Sequence, residues 1–337
     1  VMRALLPILL LLAACNRAEQ RDVPAAEAVL PPSDDEMISI PADASPETVL
    51  AAVDAGLRIE QRRQAALTGA SVIGKGPADY YFVVVRAGDR HGTGYRDHMF
   101  HVLIGAGVRL PAGSMRIRRN WSVPGHVDGN NEQPQTWGLS LGVEAGASLP
   151  FAPEVERAAR LFCLAVAERI DLHPDCVIAM GDVPYVRPYE GEESERRLAA
   201  AARADLPLPA IDGELTITSG DRKQAVTYEL RDNTAGIRVG MMLRRQFDGE
   251  HRGMLFRYKH RAVRKFWNKN VFIPIDLAYI RKGVIEQIVT MRPEAGVPQS
   301  EIPFYESVTP VRHALEMPGG WFEAQGIKVG DRVEIPE

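Results

Sequence analysis

The chain has 337 residues, of which 45% are hydrophobic and 25% charged, and a formal net charge of −4. That length exceeds one typical domain, and the mixture excludes a disordered or fibrous chain. A negative balance argues against a general nucleic-acid binder, yet the charge is unevenly spread. Arg238 to Lys269 holds ten Lys/Arg against two acids, a stretch read either as a solvated basic face or as an anion-binding patch.

In chain order, Arg3 is followed by the apolar run LLPILLLLAA, too short for a mature membrane span and fitted to a signal-peptide core. It ends in Leu12-Ala13-Ala14-Cys15, which resembles the bacterial lipoprotein processing site. The resemblance implies a leader over residues 1–14 and lipidation of Cys15, and two or three acyl chains anchor stably. Asn16, in place of the Asp of an inner-membrane signal, points to the periplasmic face of the outer membrane. Residues 15–44, rich in Ala, Pro and acids without periodicity, read as a flexible tether. Beyond Cys15 only Cys163 and Cys176 remain, and a short-loop disulfide and two buried thiols are both open.

Ser45-Pro46-Glu47 predicts a helix start, with Val49, Ala52, Val53, Gly56 and Ile59 at helical spacing. Strands are predicted over Tyr80–Val85, Phe100–Ile104, Met115–Trp121, Trp137–Val143 and Cys176–Ala179. A polar loop with His126, Asp128, Asn130 and Asn131 precedes the fourth of these. Pro153–Ile170 is the clearest amphipathic helix, with Val155, Ala158, Phe162, Ala165, Val166 and Ile170 on one face. The elements over residues 45–191 predict an α/β domain, a mixed sheet with covering helices. Residues 192–213 read as a linker that holds a short helical piece and the stiff Leu206-Pro207-Leu208-Pro209. From residue 214 to 337 short strands predominate: Leu215–Thr218, Ala225–Leu230, Gly253–Tyr258, Val271–Ile275, Leu277–Ile280, Val284–Thr290 and Asp331–Ile335. They predict a small mainly-β or α+β barrel-like domain.

Gly94–Gly105, Ile117–Trp121, Gly125–Asn131 and Thr136–Gly142 stand in the order of the segments "GYHFLIG", "GR-W", "GAH-x-x-GxN" and "S-x-GI-x-x-G". Over residues 78–190 the chain therefore resembles the peptidoglycan recognition protein and zinc N-acetylmuramoyl-L-alanine amidase family. The resemblance implies an amidase-like sheet and a peptidoglycan groove lined by His101, Arg118, Trp121, His126, Asn131 and Trp137. It also implies a catalytic zinc, but the ligand positions hold Val85-Arg86 and Met180, with only Glu190 as a later donor. Neither an aliphatic side chain nor a thioether is a good zinc ligand. His101 and His126 are equally readable as hydrogen-bonded structural residues.

Arg238–Arg245, Gly253–Phe256, Phe266–Asn270, Ile273–Asp276, Leu315-Glu316 with Gly319-Gly320, and Gly330-Asp331 match a second ordered pattern, "RGLMFR…GMLF…FWMKNT-x-IPLD…LE-x-x-G…GD". This resembles the family catalogued as domain of unknown function 192, with Asn268 and Val271 departing from its usual Met and Thr. Trp267, Asn270, Asp276 and Glu316 are the candidate site residues it supplies.

Together these readings predict a lipid-anchored, periplasm-facing protein with a zinc-less amidase-like domain that binds peptidoglycan or muropeptides. They assign it no catalytic residue, no metal, no cofactor and no nucleic-acid partner, and name no protein partner. Two alternatives remain. One is an active amidase with a zinc site rearranged around His91, His101 or His126; the other is a non-catalytic envelope scaffold.

Overall fold

The computed structural model describes residues 37–70, 77, 80–86, 100–118, 121, 138–144, 150–184 and 193–336, with Arg118 described by its backbone alone. Cys15, His91, His126, Asn131, Trp137 and Glu190 lie outside these residues.

Ser45 caps the first helix as expected. Its side chain accepts from the Thr48 N–H at 3.3 Å, Pro46 takes the first turn, and α1 runs Pro46–Gly56 with Val49, Ala52, Val53 and Gly56 buried. A second helix, α2 (Ile59–Thr68), follows at once with no buried residue and stops at Gly69 in the left-handed region. Four parallel strands make the first sheet from one edge inward: β6 (Val177–Ala179), β2 (Phe82–Arg86), β5 (Gly138–Val143) and β3 (Val102–Ile104). β4 (Met115–Arg118) and β1 (Met37–Ile40) add antiparallel beyond β3, giving the order β1-β4-β3-β5-β2-β6. The unbroken apolar run of β2 fits a strand covered on both faces.

β1 corrects the tether reading. Met37–Ile40 pairs with Arg118–Met115, and Ile40 and Ala44 are buried in the core. Residues 37–44 belong to the fold, because a strand this short shows no periodicity until a partner edge is present. The linker reading is corrected in the same way. Pro153–Ala167 forms α3, and Glu193–Arg203 forms α4, which packs on α3 and β6 with Leu198, Ala199 and Ala202 buried. α3 lies between α1 and α4.

The second domain closes into a barrel in the order β11-β12-β15-β7-β8-β9-β14. Its strands are β7 (Gly213–Ser219), β8 (Arg222–Arg231), β9 (Arg252–Ala262), β11 (Ile275–Arg281), β12 (Val284–Met291), β14 (Val311–Pro318) and β15 (Arg332–Glu334). β8 and β9 are parallel and joined through α5 (Thr234–Val239), whose Asn233 cap accepts from the Gly236 N–H at 2.7 Å. β10 (Lys265–Phe266) and β13 (Tyr305–Glu306) pair outside the barrel, and α6 (Trp321–Ala324) follows β14. The expected strand Val271–Ile275 is not formed. Pro274 cannot donate to a ladder, so pairing begins after it and one strand spans Ile275–Arg281.

β9, β11 and β14 are buried on both faces. Leu255, Ala278 and Leu315 enter one core cluster, while Met254, Phe256, Leu277 and Tyr279 enter another. Ser33–Glu337 makes one compact unit, and the first core extends across the domain junction to Ala235, Val239, Met242 and Leu243.

Candidate functional site

The expected groove residues divide sharply. His101 and Trp121 are each 1% exposed. The His101 Nδ1 accepts from the Ser140 N–H at 2.9 Å, and the His101 N–H donates to Ser140 Oγ at 3.0 Å, which stitches the start of β3 to β5. The Trp121 indole sits edge-on to Tyr80, His101 and Phe162, in a notch where a Cβ on Gly56 would lie 2.3 Å from the ring. Both side chains are core, which corrects their placement on an open groove. The sequence hid this because the notch comes from α1, more than sixty residues upstream. Arg118 ends β4 opposite Met37. Val85 faces Ala179 across β2 and β6, so Val85 and Met180 do come together, but both are buried and neither fits a zinc ion. Among the described residues no group of three His, Cys, Asp or Glu is placed to hold a metal. Cys163 and Cys176 are free and buried.

In the second domain Trp267 and Glu316 converge on one cavity of about 340 Å³, set between the outer face of the barrel and the chain around α5 and β10. Asn270 and Asp276 do not line it. Asn270 has φ +59, and its carbonyl accepts from the Leu243 N–H at 2.9 Å, fixing a turn. Asp276 accepts from Thr290 Oγ1 at 2.7 Å across β11 and β12. Asn268, where the family pattern has Met, is 1% exposed and donates to the carbonyls of Ile273 and Arg292. A buried amide is accommodated there because its donors are satisfied.

The cavity is apolar inside. Phe256 and Phe266 meet edge to face at 4.9 Å, and Met241 and Val271 are buried beside them. Nearer the surface Trp267 stacks on Phe304 at 5.7 Å, with Phe304 58% exposed. Into this wall projects Glu316, 4% exposed, in register with Met254 of β9 on one side and Leu277 of β11 on the other. Its Oε2 has no hydrogen-bond partner among the described residues. Burial pushes the Glu316 carboxyl up to about 8, partly countered by the Arg231 and Arg244 guanidinium groups. Gly240, φ +48, keeps the approach to Glu316 clear: a Cβ there would lie 3.4 Å from Phe256 and 3.9 Å from Oε2. A neutral carboxyl in an apolar cavity can donate one strong hydrogen bond to whatever enters. Arg238 and Lys265 stand at the exposed end. Sequence reasoning named Trp267 and Glu316, held Arg238 only as the start of a basic stretch, and missed Tyr258, Phe266 and Phe304 as site residues. A single acid inside the apolar run Ala314-Leu315-Glu316-Met317 was the available signal.

Beside the cavity lies a buried ionic cluster that joins the two domains. Glu229 accepts a two-bond fork from Arg244, at 2.8 and 2.6 Å, and single bonds from Arg231 at 2.9 Å and Arg252 at 3.0 Å. Burial alone would raise the Glu229 carboxyl, but the Arg244 hydrogen bonds and the three guanidinium charges outweigh it and hold it down to about 2. Arg231 also reaches Asp171 at 2.6 Å, and His173 pairs with Asp248 at 2.9 Å. These bonds pair most of the cluster and brace the cavity from behind, although Arg231 Nε, Arg252 Nε and Asp248 Oδ2 find no hydrogen-bond partner among the described residues.

No curated protein matches the chain. Among solved structures, a Sinorhizobium meliloti protein described as a candidate transcription regulator is 31% identical over 36% of this chain and 91% of its own, with a TM-score of 0.32. A Novosphingobium aromaticivorans protein of unknown function is 25% identical over 39% of this chain and 96% of its own, with a TM-score of 0.34. Residues 215–335, which hold the barrel and its cavity, match the family described as "Uncharacterized ACR", domain of unknown function 192. The chain thus carries a domain of that family over residues 215–335.

Proposed function

We propose that this is a non-catalytic ligand-binding protein, and that the cavity beside Glu316 holds one small molecule with an apolar body. The observation that carries the reading is a buried carboxyl oxygen without a partner inside an aromatic-walled cavity of about 340 Å³. Buried polar atoms are almost always paired, and ligand sites are apolar hollows of this order with a few convergent polar groups. The lipoprotein-like leader over residues 1–14, with lipidation of Cys15, would present the domain to the periplasm.

Thermal melting of the full chain against a panel of small amphiphiles tests the reading, since a ligand that binds only the folded state raises the melting temperature. Some compounds should stabilise the protein, and Met241→Trp, which fills the cavity, should abolish the gain. Phe304→Ala, at an exposed position, should weaken it without touching the core. No stabilisation by any compound, or a gain that survives both substitutions, overturns the reading.

A second reading, peptidoglycan binding by the first domain, draws support from the adjacency of β3, β4 and β5, the strands on which the amidase-like motif segments fall. Retention of the full chain on purified sacculi at low salt is the expected result. Absence of retention sinks it, release of free stem peptide would favour the active amidase, and protein crosslinks without glycan would favour a scaffold.

A further inference from the structure

The cavity has two chemically different ends. At the inner end Glu316 is flanked in register by Met254 and Leu277, so no neighbouring strand supplies a donor or acceptor to its Oε2. The charged and titratable groups that face it are Arg231 on β8 and Arg244 after α5, with Tyr258 on β9 and Tyr279 on β11. Both arginines are committed to Glu229, and burial keeps both tyrosine hydroxyls protonated.

At the outer end the charge is positive. Arg238 lines the mouth, is exposed, and has no ion-pair partner among the described residues. Lys265 lines it too and is paired with Glu306. Near the mouth, the Trp267 and Tyr258 faces that would receive an organic cation are already used by the chain itself. Lys269 Nζ lies 5.4 Å from the Trp267 ring, Phe304 stacks on Trp267, and the Arg264 guanidinium lies 3.8 Å over Tyr258. A cation would have to pass Arg238 to reach faces that are taken.

Building on the pocket reading above, we propose that the ligand is an anionic amphiphile that enters apolar end first. Its buried end carries a hydrogen-bond acceptor for the Glu316 carboxyl, and its anionic group stays at the mouth against Arg238. The Arg238 contact supplies charge-assisted pairing at a solvated site, and the Glu316 contact supplies selection at a dry one.

Calorimetric titration of the full chain with four probes sharing a naphthalene body tests this. They are naphthoate, naphthoate bearing a methoxy group on the far ring, methoxynaphthalene, and the methoxynaphthyl-methylammonium cation. At pH 6.5 the methoxynaphthoate should bind about tenfold more tightly than each comparator, the gain expected from one hydrogen bond to a buried group or one charge-assisted pair. At pH 9.5 the methoxy gain should vanish, because an ionised carboxyl no longer donates. Glu316→Leu should remove that gain and leave naphthoate binding; Glu316→Gln, which retains an N–H donor, should keep it at both pH values. Arg238→Gln should remove the carboxylate gain alone. Equal binding of all four, or preference for the cation, overturns the charge assignment while leaving the pocket standing. Binding of none overturns the pocket reading itself.

Discussion

Burial pushes the Glu316 carboxyl up to about 8 from an ordinary 4.5, so the folded protein holds this proton more tightly than the unfolded chain does. The sign follows directly. Below pH 4.5 both states are protonated and the site costs nothing further; between 4.5 and about 8 stability falls as pH rises, by about 1.4 kcal/mol per pH unit at most. Glu316→Gln does not titrate. Relative to the parent it should therefore gain stability steadily between pH 5 and pH 8, as read from urea unfolding at several pH values. A difference that does not vary with pH would show that Glu316 is ionised in the folded protein. The thiols give a second residue-scale expectation. Burial pushes Cys176 up to about 12 and Cys163 upward as well, and Cys176 Sγ lies 3.8 Å from the Met242 carbonyl. Neither should react with a maleimide until the protein is unfolded. Rapid alkylation of Cys163 or Cys176 in the native protein, located by peptide mapping, or a disulfide between them, would contradict this. Glu316 and Trp267 were legible because an ordered pattern marked them, whereas Trp121 was not, because burial of an indole depends on a notch that only the folded chain provides.

Elements were legible to the extent that their own residues bury them. α1 and α3 carry their apolar faces in sequence, and α3 ended three residues before the predicted Ile170 because the last turn is not helical. β14 escaped notice although it is central to the barrel and carries Glu316, since Arg312, His313 and Glu316 break its apolar alternation. β1 escaped for the opposite reason, as an edge strand whose order comes from β4. The turn between β3 and β4 shows how one residue can hold an element in place. Glu144, fully buried at the end of β5, accepts from the N–H groups of Ala106, Val108, Arg109 and Leu110. Burial would raise this carboxyl, but the four backbone donors outweigh it and hold it below its ordinary value. Its contribution is therefore present above pH 4.5 and is lost as pH falls through the lowered value. Glu144→Ala leaves four donors without their acceptor and should cost about 3 kcal/mol or more. Hydrogen exchange at residues 106–110 should accelerate well beyond the global change. Unchanged exchange there would mean that the turn holds itself.

At the scale of the whole molecule, the prediction of two domains joined by a linker over residues 192–213 missed how they meet. No sequence pattern announces that Glu229, Arg231, Arg244 and Arg252 converge, because charge pairing between β8, β9 and the turn after α5 depends on barrel closure. Arg231 is the shared member, bonded to Glu229 within the barrel domain and to Asp171 of the first domain. The Arg245 N–H donates to Asp175 and Asn233 Nδ2 donates to Tyr81, while Met242 and Leu243 complete the first domain's apolar core. A junction with buried polar and apolar contacts together couples the domains, so calorimetry of the full chain should give one unfolding transition. Glu229→Ala would strand three buried guanidinium groups and should cost about 3–5 kcal/mol, the range for breaking a buried ion pair from one side. It should also split the melt, because Arg231 loses the anchor that lets it reach Asp171. Asp171→Asn removes a carboxylate whose side chain is 36% exposed, so it should cost about 1 kcal/mol or less. Acid adds an independent check. Glu229 is held down to about 2, so its contribution is complete above its ordinary 4.5 and disappears only as pH falls toward 2. The parent should lose single-transition behaviour near that acid limit, and Glu229→Ala should lack it already at neutral pH. Two transitions in the parent at neutral pH would mean that the cluster serves the barrel alone and leaves the domains independent.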